Sequence, residues 1–112
     1  EAPRQGSRVR RDGVMLRWRT QFLAPAGEPS VLPFVIEWSV PRGMHPGEMA
    51  ADHPSRAQGI RSVRLGDPDP AAAAGRLRSA LGAGLNAPVE RAATSGVVAV
   101  EIDTPKGVVV LR

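Results

Sequence analysis

In the stretch VLPFVIEWSV, residues 31–40, one carboxylate, Glu37, interrupts an apolar run and stands directly before Trp38. A charged side chain in such a strand either faces water or does chemistry, because an unpaired charge is too costly to bury. Alternation at the period of a strand places Leu32, Phe34, Ile36 and Trp38 on one face and Val31, Pro33, Val35, Glu37 and Ser39 on the other. A second alternating run, GVMLRWRTQFL, sets Leu16, Trp18, Thr20 and Phe22 against Met15, Arg17, Arg19 and Gln21. If the two runs pair as a hairpin, Arg17 and Arg19 share the face of Glu37. Two guanidinium groups there can hold a carboxylate or phosphate through paired hydrogen bonds.

Both histidines, His45 and His53, fall between residues 41 and 58 beside Glu48 and Asp52. Together with Glu37 they offer the donor types of a two-histidine, one-carboxylate metal site. Each histidine precedes a proline, however, and their spacing matches no helical or hairpin metal motif, so an exposed turn is the competing explanation. For Glu37 the competing explanation is a solvated carboxylate, and for Arg17 and Arg19 a wet sheet face.

Several other chemistries lack their residues. The chain has no cysteine, so disulfides, thiolate metal sites and a cysteine nucleophile are excluded. None of its serines has the G-x-S-x-G context, and GAGLNAP follows a helical pattern where a phosphate-cradling loop would open one. The net charge of +4 is local: six arginines against Glu1 and Asp12 in residues 1–20 account for all of it. A nucleic-acid groove needs cations spread along a surface, with aromatic stacking platforms for single strands. No nucleic-acid partner is expected.

The positioning elements follow from the same patterns. At 112 residues the chain suits one domain with a modest core, and no apolar run approaches a membrane span of about 20 residues. Residues 1–12 read as a flexible basic lead-in, 13–40 as two strands separated by the turn APAGEPS, and 41–58 as a long loop. GIRSVRL is a further strand. The run DPDPAAAAGRLRSALGAG is a helix, capped by Asp69, opened by Pro70, stacking Leu77 on Leu81 and ended by Gly82 or Gly84. PVERAATSGVVAVEIDTPKGVVVLR supplies three short strands divided at TSG and TPKG. The fold class is α+β.

The order strand, helix, strand, strand, strand from Ile60 onward resembles the βαβββ module of the vicinal oxygen chelate superfamily. More narrowly, LPFVIEW with HP shortly after it, then GIRSVRLGDPDPAAAAGRLRSALG and TPKGVVVLR, resemble the C-terminal part of the glyoxalase-like domain family over about residues 9–112. The resemblance implies that residues 13–40 are the last two strands of an incomplete first module and that 59–112 are a complete second one. It also implies a concave sheet that binds a small oxygen-rich, anionic molecule beside a divalent metal (Zn, Ni, Mn or Fe), for lyase, isomerase or dioxygenase-like chemistry. In that pattern Glu37 takes the place of the metal-binding and catalytic carboxylate; the donors of the loop add His45 as a candidate further ligand, and Arg17, Arg19 and Trp38 are candidate substrate contacts. Ser62 and Leu111 stand where other members carry ligands, which favours the alternative of a metal-free sequestering protein of bleomycin-resistance type. The chain begins without methionine or a leader, and reads as an inactive piece of a longer cytoplasmic protein that dimerises through an open sheet edge.

Overall fold

The alternating segments fold as strands, and the computed structural model describes residues 2–25, 27–48 and 53–112. In chain order these are β1 (Arg4–Val9), β2 (Met15–Phe22), β3 (Phe34–Ser39), a 3₁₀ turn (Pro46–Glu48), β4 (Gly59–Asp67), α1 (Pro70–Leu81), β5 (Val89–Arg91), β6 (Gly96–Thr104) and β7 (Gly107–Leu111). The architecture is α+β, with two sheets and one helix. Two compact units result: residues 1–26 with 33–51, and residues 27–32 with 52–112.

The first unit is an antiparallel sheet in the order β1-β2-β3. Its first strand corrects the expectation of a flexible lead-in: Arg4–Val9 pairs along its whole length with β2, from Arg4 opposite Thr20 to Val9 opposite Met15. RQGSRV has no buried residue and no apolar alternation, so its sequence carries no period-two signal. The strand is made instead by the backbone ladder and by the turn that aims it. Arg10 N–H donates to the Val14 carbonyl at 2.8 Å, Gly13 N–H donates to the Arg10 carbonyl at 3.0 Å, and Asp12 Oδ1 accepts from Val14 N–H at 3.2 Å. Gly13 takes φ +85°, where other residues are strained. The Arg10 guanidinium closes the turn on Asp12 at 2.6 Å and reaches Met44 Sδ at 3.0 Å.

β3 begins at Phe34, later than the apolar run suggests. Pro33 has no N–H to give a ladder, so Val31 and Leu32 stay outside the strand. They serve the second unit: Val31 is buried with Leu65, Ala73 and Leu77, and Leu32 packs against that cluster. Five residues of a presumed strand face therefore reduce to Val35, Glu37 and Ser39.

The second unit is a four-stranded sheet in the order β5-β4-β6-β7. β4 and β5 run parallel, and α1 makes the crossover between them, as a parallel connection requires. β6 returns antiparallel on the other side of β4, and β7 follows it as a hairpin in which Thr104 Oγ1 donates to the Gly107 carbonyl at 2.7 Å. Asp69 Oδ1 accepts from Ala72 N–H at 3.2 Å, Pro70 opens the helix, and Gly82 ends it with φ +82°. Ala73 and Leu77 point into the core, whereas Leu81 stays 38% exposed. No helix is long and apolar enough to cross a membrane among the described residues.

The join between β4 and α1 holds the buried carboxylate Asp67. Ser95 Oγ donates to its Oδ2, Asp69 N–H donates to its Oδ1 at 2.8 Å, and the Arg76 guanidinium lies 3.6 Å away. The Ser95 hydroxyl, the Asp69 N–H and then the Arg76 charge hold this carboxyl below the usual aspartate range, against the opposing effect of burial. A depressed folded-state pKa stabilises the fold above the unfolded value of about 3.9 and is lost as pH falls through the folded one. Urea midpoints taken from pH 7 downward should hold steady until about pH 4 and then fall. Asp67→Asn should lower the neutral-pH midpoint and flatten the part of the acid slope that Asp67 contributes; an unchanged acid slope would contradict this role.

Candidate functional site

The register of the first sheet decides which side chains can act together. In an antiparallel pair, residues directly opposite share a face. Gln5, Arg19 and Glu37 form one rung across β1, β2 and β3, and Ser7, Arg17 and Ser39 form the next. Two arginines, one carboxylate, one amide and two hydroxyls thus occupy one face, as the alternation of the second and third strands predicted for Arg17, Arg19 and Glu37.

On this face Arg19 Nε donates to Glu37 Oε2 at 2.8 Å, and Nη2 donates to the same oxygen. Both side chains are more than half exposed, at 54% and 62%, so the pair sits in water and contributes about 0–1 kcal/mol to stability. Arg17 makes no hydrogen bond or ion pair with any described residue. A hollow of about 520 Å³ lies beside it, lined by Gln5, Ser7, Met15, Arg17, Arg19 and Ser39 among others. Glu37 stands just beyond that lining and touches it through Arg19.

The opposite face is aromatic. Trp18 and Trp38 are cross-strand partners with ring centroids 5.3 Å apart, and Phe22 and Phe34 lie at 5.6 Å. The His45 ring meets Trp38 edge-on at 5.6 Å, with its Nδ1 accepting from Gly47 N–H at 2.9 Å. Gly6, across from Trp18, leaves room for the indole: a Cβ there would lie 2.5 Å from Nε1.

Two of the expected site residues lie apart from the others. Trp38 is on the opposite side of the sheet from Arg17, Arg19 and Glu37. His45 packs on Trp38 and so is turned away from Glu37, because adjacent residues of a strand point to opposite faces. His53 is taken up in its own turn with Ser55, and Glu48 ends the 3₁₀ turn; Asp52 lies outside the described residues. No group of three histidine, aspartate or glutamate side chains gathers among the described residues. In the second unit, Ser62 is buried in β4 and Leu111 is exposed on β7, and neither offers a metal donor. Among the described residues a divalent metal does not fit the donor set, whose one carboxylate on the polar face is shared with a guanidinium.

The sequence pattern missed Gln5, Gly6 and Ser7. Their only signal was the alternation of a glycine with two small or amide polar residues, which is silent without a partner strand.

A family model for the glyoxalase-like domain matches residues 1–81. The chain belongs to the glyoxalase-like domain family. No curated protein and no solved structure matches it. The matched span begins with β1, so this domain includes the basic strand that the sequence alone suggested was a lead-in, and it ends with α1.

The geometry separates a structural glycine from an exposed ion pair. Gly6→Ala should cost about 1–3 kcal/mol, because the indole of Trp18 must move, and tryptophan emission should shift to the red. Glu37→Ala should change stability by no more than about 1 kcal/mol. Urea unfolding followed by tryptophan fluorescence checks both, and the reverse order of effects would refute the assignment.

Proposed function

We propose that this glyoxalase-like domain binds a small oxygen-rich anion on the polar face of its three-stranded sheet, holding it without chemical change. The observation that carries this reading is Arg17: a guanidinium without a partner among the described residues, between Ser7 and Ser39, lining a hollow of small-molecule size. Guanidinium groups match carboxylate and phosphate oxygens in pairs, and serine hydroxyls can donate to the remaining oxygens. Glu37 acts as the counter-ion of Arg19 rather than as a base or ligand. Lyase or isomerase chemistry with metal help would need a donor set that Glu37 and His45, on opposite faces, do not provide.

Isothermal titration with butyrate and with inorganic phosphate tests the reading. Binding should occur and should persist in the presence of EDTA. Arg17→Ala should weaken it by about tenfold or more, since a charge-assisted hydrogen bond contributes about 1.5–3 kcal/mol, while the urea midpoint stays unchanged. Absence of binding, or affinity that depends on added divalent metal and falls with Glu37→Gln, would overturn it.

Association of two copies along the β3 edge belongs to the same proposal. Among the described residues β3 has a strand partner on one side only, and Phe34 and Ile36 are 53% and 40% exposed. Open strand edges of this kind pair with other chains. Light scattering should give twice the chain mass at micromolar concentration, and Ile36→Lys should return the monomer; a monomer for the unmodified chain would dismiss it.

A further inference from the structure

Arg17 and Arg19 line the same hollow but stand in different states. Arg17 has no partner among the described residues, whereas Arg19 carries the carboxylate of Glu37 on Nε and Nη2. We propose that the site takes a dianion, a small molecule with two acidic groups on a short carbon chain, and that Glu37 is a built-in stand-in for the second acid. This rests on the reading that the polar face binds an anion, and it names the ligand class.

Spacing supports two acids. Residues two apart on a strand lie about 7 Å apart on one face, and flexible arginine side chains can shorten that span, so acids separated by about two to four carbons can reach both. The spacer would pass beside Met15, an apolar member of the same lining that is 42% exposed. Glu37 already shows how a carboxylate seats on Arg19, with one oxygen accepting from two guanidinium nitrogens.

Energetics supports displacement. The Arg19–Glu37 pair is exposed and weak, so it yields to a competitor present at high local concentration. A dianion anchored on Arg17 supplies that competitor, because its second acid is tethered near Arg19. A monoanion on Arg17 has no second group to offer, and a free monoanion must compete with Glu37, which is tethered permanently. Glu37 thereby sets the discrimination between one charge and two.

The test compares succinate, glutarate and adipate with butyrate, by calorimetric titration of the intact chain at constant ionic strength. At least one dianion should bind about tenfold tighter than butyrate. Arg19→Gln should weaken that dianion by clearly more than it weakens butyrate, so that the two approach the same affinity. Glu37→Gln should strengthen the dianion by about 1.5- to 5-fold, the equivalent of a weak exposed pair. Circular dichroism checks that each variant keeps its fold. If butyrate binds and no dianion binds better, or if Arg19→Gln weakens both alike, or if Glu37→Gln weakens the dianion, the two-acid site is wrong while the anion-binding reading stands. If no anion binds at all, both fall together.

Discussion

The antiparallel register between β1, β2 and β3 is the constraint on which the site depends. Each rung sets three side chains abreast on one face, and the next residue of every strand points the other way. Slipping β3 against β2 by one residue would carry Glu37 to the aromatic side and Trp38 to the polar one. The aromatic face resists such a slip: Trp18 must meet both Trp38 and the bare backbone of Gly6, and Phe22 must meet Phe34. Packing on one side of the sheet thus fixes the charges on the other.

The charges themselves contribute little to holding the sheet together. The Arg19–Glu37 pair is open to water, and Arg17 pairs with no described residue. Such groups are cheap to rearrange, which is consistent with the proposed exchange of one carboxylate for another. Asp67 in the second unit shows the contrasting case. Its carboxylate is buried and engaged by Ser95, the Asp69 N–H and Arg76, so losing its charge would leave donors without an acceptor. One acid sits where exchange is possible and the other where it is not.

The second unit was the more legible in the sequence. Asp69, Pro70 and Gly82 mark the helix through local backbone chemistry, and the turns at TSG and TPKG come where β6 and β7 begin, at Gly96 and Gly107. Gly66 was not legible, although a Cβ there would lie 2.6 Å from Ala92 and 2.8 Å from Val98. Close approach between segments distant in the sequence leaves no mark on one segment read alone. The same reason hid β1, whose polar residues form a strand only because β2 offers a ladder, and assigned Val31 to a strand when it belongs to the core beneath α1.

The sequence by itself determined the elements and their faces wherever the information is local: side-chain alternation in β2 and β3, capping of α1, and the placement of Glu37 opposite its aromatic neighbours. Membership of the glyoxalase-like domain family follows from the same ordered residues. Tertiary structure alone decided the partners. That Arg19 holds Glu37 while Arg17 stands open, that His45 rests on Trp38 away from any carboxylate of the sheet, and that a basic segment becomes a strand, are all results of register between segments distant in the chain. Pairing energies between separate segments are collective, and no single segment encodes them.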